Sequence, residues 1–282
     1  LTARHGGMDV LRASLERQVF KDFEVVIVDA LWREREPQVK KYFKDFDLKY
    51  IPQSEKREGA YSNLAHADNE GFRACEGELV ICIQDYIWFG PAALHKFWEA
   101  YRAYGDILVG GVGHQYGKPG KEDIKNPKGK ITIFKKEFTE RPEERCWNDP
   151  RMRLDQGTFY ETSPVNWELS YASIPRKVIY ELGGMDEEYD QQGFAYDNVN
   201  IAQRAEFLGY KTYLDQTNEY RALNHDSWAM SSSKKERSTN IAEFHIQRMR
   251  DTINGRFPIK LNYLQEGDKI TPKVNTEEVK PA

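Results

Sequence analysis

Short apolar runs that end at a polar residue recur in the first part of the chain, and they limit what the chain can fold into. Residues 25–28 read Val-Val-Ile-Val and are followed by Asp29, a pattern typical of a strand buried on both faces of a parallel sheet. Residues 79–83 form a second run of this kind, and residues 107–109 form a third. The sequence therefore predicts a sheet whose strands are covered on both faces.

Helix-like segments lie between these runs. Residues 8–19 carry leucine and valine at helical spacing, and residues 62–75 form another helical segment before the second strand. This alternation predicts an α/β fold with a doubly wound, mostly parallel central sheet and helices on both faces. In such folds ligands bind beyond the carboxyl ends of the strands, where this chain has Asp29 and Asp85.

The composition is that of a folded domain with many aromatic side chains. Of the 282 residues, 39% are hydrophobic and 13% are aromatic. This supply is enough for a core, and the number of rings suits a cleft that stacks on ring-shaped ligands. The formal charge of −4 gives no basic field, so non-specific binding of nucleic acid is not indicated. One large domain followed by a tail is the expected organisation.

The cysteines and the hydropathy indicate the cellular setting. Cys75, Cys82 and Cys146 show no CxxC spacing, and a sparse, odd set argues for reduced thiols and a cytoplasmic location. No run approaches the roughly 20 apolar residues of a membrane span, and the N-terminus does not look like a signal peptide. We therefore expect a soluble, cytoplasmic protein.

The most specific pattern lies between Gly183 and His225. A Gly-Gly-Met-Asp turn at residues 183–186 is followed by Gly-Phe-Ala-Tyr-Asp at residues 193–197, and a helical segment then ends at Gly209. In this order the motifs resemble the catalytic end of nucleotide-sugar glycosyltransferases with the GT-A fold. The chain is similar to the inverting family-2 enzymes, and this part of it also to the β-1,4-galactosyltransferases. The resemblance implies a Rossmann-like GT-A domain that transfers a sugar from a nucleotide donor.

Asp197 is the expected catalytic residue. Inverting transfer needs a carboxylate that takes the proton of the acceptor hydroxyl as this hydroxyl attacks the anomeric carbon. The family has an acidic pair at a helix start, whereas this chain has Tyr196-Asp197 and lacks the first acid. The alternative role for Asp197 is to cap the helix predicted at residues 199–208, and the two roles are compatible.

A divalent metal ion is the usual means of stabilising a leaving diphosphate, and the resemblance implies Mn²⁺ or Mg²⁺ here. The family often places two carboxylates after the second central strand, where this chain has Gln84-Asp85 and only one. Asp85 and His225 are the expected metal ligands. The alternatives are that Asp85 caps its loop and that His225 is structural, while Gln84 would bind a hydroxyl of the ribose or of the sugar.

The resemblance also implies a set of donor-binding residues: Arg4, Asp29, Asn63, Gln84 and Asp85. Asp29 ends its strand where the family has an aspartate that contacts uracil or ribose, and Arg4 would line the same pocket. The alternative is that Asp29 only forms a turn. Residues 1–4 resemble the end of a first strand and the turn after it, so we expect that strand either to precede Leu1 or to be very short.

Trp167, Glu168, Asp186 and Tyr196 are expected to bind the acceptor or the transferred sugar. Trp167 would stack on a ring, or else it is an ordinary buried tryptophan. Asp186 would contact a sugar, or else it forms the turn that begins at Gly183. A glycan, a protein and a modified nucleic acid all fit the sequence as acceptors.

The resemblance divides the chain into parts. Residues 1–264 are expected to form one glycosyltransferase domain, and residues 265–282 a flexible tail or an arm on a neighbouring molecule. Within the domain we expect a nucleotide-binding half, a polar insertion, and an acceptor and catalytic half, at about residues 1–112, 113–152 and 153–264.

The predicted function is metal-dependent, inverting transfer of a sugar, with a UDP-sugar as the implied donor, to an acceptor hydroxyl. One alternative is a non-catalytic nucleotide- or glycan-binding protein, which the reduced acidic motifs at Asp85 and Asp197 keep open. The other is a sugar nucleotidyltransferase, although His5-Gly6-Gly7-Met8 is a poor match to the signature loop of that class.

Overall fold

The computed structural model describes residues 7–84, 87–116, 145–193, 195–223 and 240–268. The strands in these ranges are β1 Val25–Asp29, β2 Leu48–Pro52, β3 Leu79–Ile83, β4 Ile87–Phe89, β5 Leu108–Tyr116, β6 Arg145–Asn148, β7 Phe159–Thr162, β8 Tyr171–Pro175 and β9 Thr212–Leu223. The helices are α1 Met8–Glu16, α2 Trp32–Tyr42, α3 Leu64–Ala74, α4 Ala93–Tyr104, α5 Arg176–Leu182, α6 Tyr189–Gln192, α7 Asp197–Phe207 and α8 Ile241–Ile253.

The described strands form a central sheet and a separate pair. Strands β1 and β2 pair in parallel. The larger sheet has the order β3-β8-β5-β9-β4, with β6 added to β5 and β7 added to β9. The fold is therefore α/β with a central sheet and helices, as predicted.

The strand directions differ from the prediction of a mostly parallel sheet. Strands β5 and β9 are parallel, but β8 runs antiparallel to both β3 and β5, and β4, β6 and β7 run antiparallel to their partners. A parallel neighbour needs a crossover of a dozen or more residues, usually a helix. Only short links without an α-helix join β6 to β7 and β7 to β8. The second half of the chain therefore adds strands to a mixed sheet.

Helices cover both faces of the central sheet. Along β3, Leu79, Ile81 and Ile83 pack into one core cluster with side chains of α1, α2 and α4. The alternate residues Val80 and Cys82 pack into a second cluster with side chains of α3, α5 and α7. Because successive strand residues point to opposite faces, the two clusters lie on opposite sides of the sheet. The predicted double layer of helices is thus present.

Strand β5 continues beyond residue 109, where the apolar run in the sequence ends, and extends to Tyr116. A Cβ atom on Gly111 would lie 2.4 Å from the ring of Tyr171, and one on Gly113 would lie 2.2 Å from the ring of Tyr220. Real Cβ contacts are never so short, so these glycines let aromatic rings pack directly on the strand. The glycines extend the strand instead of ending it.

The thiols of Cys75 and Cys82 are free and half-buried. Burial raises the pKa of Cys75 to about 12 and raises the pKa of Cys82 as well, so both are packing residues and not reactive nucleophiles. Among the helices of the described ranges, none has the length and apolarity that crossing a bilayer requires.

The predicted insertion has its ends next to each other in the sheet. Strand β6 pairs antiparallel with the end of β5, so the chain leaves and re-enters the domain at one place. Residues 117–144 lie outside the described residues, as do residues 269–282 of the predicted tail. The division of the chain at about residues 112, 152 and 264 stays a prediction.

Candidate functional site

Helix α7 begins at a loop with an unusual backbone. Ala195 has φ 122° and Tyr196 has φ 66°, and these are the non-glycine residues with positive φ in the described ranges. Such conformations cost of order 1–3 kcal/mol each and are concentrated at functional sites. Asp197 follows directly as the first residue of α7, with Tyr196 as the N-cap. The helix therefore starts two residues before the predicted position, and Asp197 lies in its first turn instead of capping it.

The environment of Asp197 suits a general base. Burial raises the pKa of its carboxyl to about 6, and the negative charge of Asp190 acts in the same direction. Hydrogen bonds from the backbone N–H groups of Asn198 and of Asp197 itself act against this rise. A base with a pKa near neutrality is mostly ionised at physiological pH and still accepts a proton readily.

A second carboxyl, Asp68 of α3, belongs to the same region and was given no role in the sequence analysis. Burial raises its pKa to about 8, and the negative charge of Asp197 adds to this rise. The electrostatic coupling means that the two carboxyls influence each other's ionisation. An aspartate inside an amphipathic helix carries no sequence signal that separates it from a solvated residue, which is why it was missed.

Asp190 links α6 to the start of α3. Its Oδ1 accepts hydrogen bonds from Ser62 Oγ at 2.6 Å and from the backbone N–H of Leu64 at 2.8 Å. Its Oδ2 accepts from the backbone N–H of His66 at 3.0 Å. The carboxylate thus supplies the N-terminal cap that no residue of α3 provides. Local sequence cannot reveal a cap that comes from residues so distant in the chain.

The Gly183-Gly184 turn holds the C-terminal part of the described chain. Gly183 has φ 71°, and a Cβ atom there would lie 1.7 Å from the carbonyl oxygen of Leu261. The carbonyl of Gly183 accepts hydrogen bonds from the N–H groups of Tyr263 and Leu264, both at 3.1 Å. A residue with a side chain would fail here for conformational and steric reasons together.

Asp186 lies in the same turn and is almost wholly buried, with 1% of its surface exposed. Its Oδ1 accepts a hydrogen bond from the N–H of Glu188 at 3.1 Å, and its Oδ2 lies 3.2 Å from Arg248 Nε. Burial raises its pKa, against the effect of the Arg248 charge. The structure thus shows the turn-forming alternative, and the contact with a sugar stays a prediction.

Asp29 ends β1 as predicted, but its carboxylate is engaged within the protein. It accepts two hydrogen bonds from the buried guanidinium of Arg35, at 2.7 and 2.8 Å, and one from Tyr50 Oη at 2.7 Å. The N–H of Leu31 adds another at 2.8 Å. These bonds occupy the lone pairs that a carboxylate offers. Contact between Asp29 and a nucleotide stays a prediction.

Two more of the predicted donor residues are described. Asn63 is buried, and its side-chain Nδ2 donates a hydrogen bond to the backbone carbonyl of Ser54 at 2.9 Å. The backbone carbonyl of Asn63 accepts a hydrogen bond from Gln53 Nε2 at 3.2 Å. Gln84 is exposed after β3. Asn63 therefore holds the loop that follows β2, and Gln84 is available to solvent. Arg4, Asp85 and His225 lie outside the described residues.

On the acceptor side, Trp167 is wholly buried in the second core cluster. Its carbonyl accepts a hydrogen bond from Asn198 Nδ2 at 3.0 Å, which ties it to the start of α7. The structure favours the buried-tryptophan alternative, and stacking on a ligand stays a prediction. Glu168 is half exposed, with Oε2 3.7 Å from Arg151. Tyr196 keeps 37% of its surface exposed.

Helix α3 connects the two groups of predicted residues. Asn63 precedes its first turn on the donor side, and Asp68 lies further along it, close enough to Asp197 for that negative charge to raise the pKa of Asp68. In the described part of the chain, no set of three His, Cys, Asp or Glu side chains is arranged to hold a metal ion. The expected ligands, Asp85 and His225, are not among those residues, so the metal site stays a prediction.

Solved structures with a similar fold are glycosyltransferases. The chain is similar to TarS from S. aureus in complex with UDP, with a TM-score of 0.53 and 15% identity, covering 79% of this chain and 59% of that one. It is similar to GalNAc-T7 with UDP, GalNAc and Mn²⁺, with a TM-score of 0.54 and 12% identity. The match covers 82% of this chain and 44% of GalNAc-T7. It is also similar to the mannosyltransferase PcManGT from Pyrobaculum calidifontis with GDP-Man and Mn²⁺, with a TM-score of 0.50 and 15% identity. The match covers 78% of this chain and 55% of PcManGT.

The chain thus spans between 44% and 59% of the length of these proteins, and at such identities the likeness shows the fold alone. The expected GT-A architecture is confirmed. No curated protein matches the chain. The family model described as glycosyl transferase family 2 matches residues 9–167, more than half of the sequence, and the chain therefore belongs to glycosyl transferase family 2.

Proposed function

We propose that this chain is an inverting glycosyltransferase that moves a sugar from a nucleoside-diphosphate donor to an acceptor hydroxyl, with Asp197 as the general base. The observation that supports this most is the position of Asp197 at the start of α7, directly after the strained loop, with a pKa of about 6. A base with these properties is what attack by a hydroxyl requires.

The proposed reaction is a single displacement. The acceptor oxygen forms a bond to the anomeric carbon of the sugar while the bond from that carbon to the β-phosphate oxygen breaks. The hydroxyl proton passes to the carboxylate of Asp197, and the electron pair of the broken bond leaves with the nucleoside diphosphate. The anomeric configuration is inverted because attack and departure occur on opposite faces.

The donor is proposed to be a UDP-sugar. Similar structures contain UDP, UDP-GlcNAc or GDP-Man, so a nucleoside-diphosphate sugar is the common chemistry. The proposed donor site comprises the predicted residues near the ends of β1 and β3 and the start of α3: Arg4, Asp29, Asn63, Gln84 and Asp85. Asp29 and Asn63 would act mainly by holding the loops that follow β1 and β2, given their internal hydrogen bonds.

We keep Mn²⁺ or Mg²⁺ as the proposed cofactor, with Asp85 and His225 as its protein ligands. Two of the similar structures were solved with Mn²⁺. When bound, such an ion supplies positive charge that stabilises the departing diphosphate.

On the acceptor side, the exposed surfaces of Tyr196 and Glu168 are the proposed contacts. We also propose a cytoplasmic setting, which the sparse, odd set of cysteines supports.

One observation favours a second candidate, a nucleotide- or glycan-binding protein without catalysis. Tyr196 stands where the family has the first acid of its pair, and Gln84 precedes Asp85 where a second carboxylate is common. Loss of both acids would weaken catalysis while the fold kept its affinity for nucleotides.

Calorimetric titration with UDP, GDP and dTDP tests the proposal. We expect one diphosphate to bind in the presence of Mn²⁺, with weaker binding in EDTA and in Asp85→Ala, and unchanged binding in the surface control Asp155→Asn. Absence of binding by any of the three nucleotides would contradict the proposed function. Binding without turnover of the corresponding nucleotide sugars would favour the second candidate.

A further inference from the structure

One face of α8 contacts the elements that surround Asp197. His245, Arg248 and Met249 are spaced so that they lie on the same side of the helix. Arg248 pairs with Asp186 in the glycine turn, and Met249 Sδ lies 3.6 Å from Asn200 Nδ2 of α7. His245 reaches α6 and the loop that precedes α7. With a single face, helix α8 therefore contacts the glycine turn at Asp186, the loop residue Tyr196 and helix α7 at Asn200.

The ring of His245 lies flat on the ring of Tyr196. The ring centroids are 4.8 Å apart and the planes differ by 18°. Tyr196 is the left-handed residue that caps α7, and its carbonyl accepts the N–H of Asn200 at 2.8 Å. A bulky residue adopts this conformation only where its surroundings hold it. Among the described residues, the stack on His245 is a contact that restrains the Tyr196 side chain.

Tyr189 of α6 fixes the orientation of the His245 ring. Tyr189 Oη lies 2.8 Å from His245 Nδ1. Burial raises the pKa of Tyr189 and lowers the pKa of His245, so both groups favour their neutral forms. A neutral hydroxyl and a neutral imidazole form this hydrogen bond with either tautomer of the ring.

We infer that His245 is a positioning residue for the transfer reaction: oriented by Tyr189, its ring holds Tyr196 in the left-handed conformation that starts α7 and places the carboxylate of Asp197. The inference rests on the proposed function, because it takes Asp197 as the base. Neither His245 nor Tyr189 needs to touch the substrate. Both act through the backbone of one loop.

The first test compares turnover with donor binding. Release of UDP from UDP-GlcNAc, UDP-glucose and UDP-galactose with Mn²⁺ is measured for the wild type, His245→Ala, His245→Phe and Tyr189→Phe. We expect kcat to fall about tenfold in His245→Ala, while the Kd for UDP is unchanged. A tenfold fall in kcat corresponds to an increase of about 1.4 kcal/mol in the activation free energy. The ring in His245→Phe keeps the stack and should restore part of the rate. An unchanged kcat in His245→Ala would overturn the inference.

The second test separates positioning from a general structural role. Glycine adopts a left-handed conformation without steric cost, so Tyr196→Gly removes the need for the stack. In that background we expect His245→Ala to cause no further fall in kcat, so the two changes are not additive. A fall of equal size in both backgrounds would show that His245 acts elsewhere and would overturn the inference.

A third readout does not depend on activity. Amide hydrogen exchange of Asn200 reports the bond to the carbonyl of Tyr196, and that of Leu108 in β5 reports the core. We expect faster exchange at Asn200 in His245→Ala with Leu108 unchanged, and equal protection at Asn200 in both proteins would overturn the inference. If the wild type neither binds nor turns over a nucleotide sugar, the proposed function fails, and the exchange result then shows only whether His245 holds the start of α7.

Discussion

At the scale of single residues, Asp197 combines opposing electrostatic effects. Burial and the charge of Asp190 raise its pKa to about 6, while backbone N–H groups at the start of α7 limit that rise. The neighbouring Tyr196 is held by a ring stack of about 0.5–1.5 kcal/mol, which is similar to the cost of roughly 1–2 kcal/mol for a left-handed residue. The stack is therefore large enough to offset much of the cost of this backbone conformation.

The first prediction concerns the dependence of the rate on pH. Because Asp197 must be ionised to accept a proton, kcat/KM for the nucleotide sugar should rise with pH and level off above an apparent pKa of about 6. Below that value the rate should fall about tenfold for each pH unit. Initial rates of UDP release across the acidic range measure it. A rate independent of pH in this range would rule out Asp197 as the base.

The second prediction is that Asp197→Asn inactivates and also stabilises the protein. The folded-state pKa of about 6 lies above the ordinary 3.8, so the stability contributed by this carboxyl is fully present below 3.8 and is lost as the pH rises through about 6. Removing the charge should raise the free energy of unfolding by about 1–2 kcal/mol at about pH 8, with allowance for partial exposure. Urea unfolding at about pH 8 and about pH 4 tests this.

Most of the gain should disappear at about pH 4, because the folded-state carboxyl is protonated there and the unfolded-state carboxyl, with its ordinary pKa of 3.8, is partly protonated as well. The control Asp155→Asn, on the surface, should change the stability at neither pH. Destabilisation by Asp197→Asn at the higher pH would contradict this prediction and would show that the negative charge stabilises the fold.

Single residues were predictable where the role depends on chain position, and less so where it depends on partners. Asp197 and Asp29 follow from their places at a helix start and a strand end. The partner of Asp29, the buried Arg35, and the coupling of Asp68 to Asp197 follow only from the fold. A sequence shows which groups are present, whereas desolvation and pairing depend on residues that folding brings together.

At the scale of elements, α3 is the helix that joins the donor and acceptor sides, and its start is held from outside. Asp190 accepts hydrogen bonds from Ser62 Oγ and from the N–H groups of Leu64, Ala65 and His66. A helix start normally takes its cap from a residue directly before it. Here the cap couples the start of α3 to α6, so the two elements are expected to move together.

The third prediction follows from this cap. Asp190→Ala should lower the free energy of unfolding by about 2–3 kcal/mol, because it removes a cap and leaves buried donors without an acceptor. Asp190→Asn keeps one side-chain oxygen, so its free energy of unfolding should fall by about half as much as in Asp190→Ala. Urea unfolding measures both, with Asp155→Asn as the surface control. Equal stability of Asp190→Ala and the wild type would mean that water replaces the carboxylate at this site.

Elements were predicted best where apolar runs are bounded by polar residues. Strands β1 and β3 follow directly from such runs, and α3 lies close to its predicted position. The antiparallel insertion of β8 between β3 and β5 was not predicted, because strand order depends on long-range pairing. The extension of β5 through its glycines was missed for the same reason, since the rings that need the space come from β8 and β9.

At the scale of the whole molecule, the glycine turn after α5 connects the last described segment to the rest of the domain. Besides the hydrogen bonds to Gly183, the buried Arg204 donates to the carbonyls of Leu182, Gly184 and Ile259. Arg204 thus ties together α7, the turn and the C-terminal segment. The acceptors of these three hydrogen bonds are all backbone carbonyl groups. The turn that contains Asp186 is therefore a structural junction, while contact of Asp186 with a sugar stays a prediction.

The fourth prediction tests this junction. Gly183→Ala would place a Cβ atom 1.7 Å from the carbonyl oxygen of Leu261 and would impose a side chain on φ 71°. We expect a loss of about 3–5 kcal/mol in the free energy of unfolding, or release of residues 257–264 from the turn. Thermal unfolding and limited proteolysis measure the two outcomes. Gly255→Ala is the matched control, because φ is 68° there and no atom lies within 4 Å of its Cβ position.

Family membership and fold followed from the order of several weak motifs, none of which is decisive alone. The match of the family model covers residues 9–167, which include the strand ends at Asp29 and Asp85, whereas the most specific motifs of the sequence prediction begin at Gly183. The two lines of evidence overlap only in part, and they agree on the same family. The donor and acceptor were less predictable, because their recognition depends on side chains from several loops.

The decisive measurement is the release of UDP from a set of UDP-sugars by the wild type and by Asp197→Asn, assayed with Mn²⁺ at about pH 8, with water in place of the acceptor hydroxyl. The account predicts turnover by the wild type and a loss of about a hundredfold or more in the variant, with UDP binding retained. Turnover of equal rate in both proteins would contradict the assignment of the base. Absence of turnover in the wild type, despite binding of UDP, would contradict the proposed activity itself.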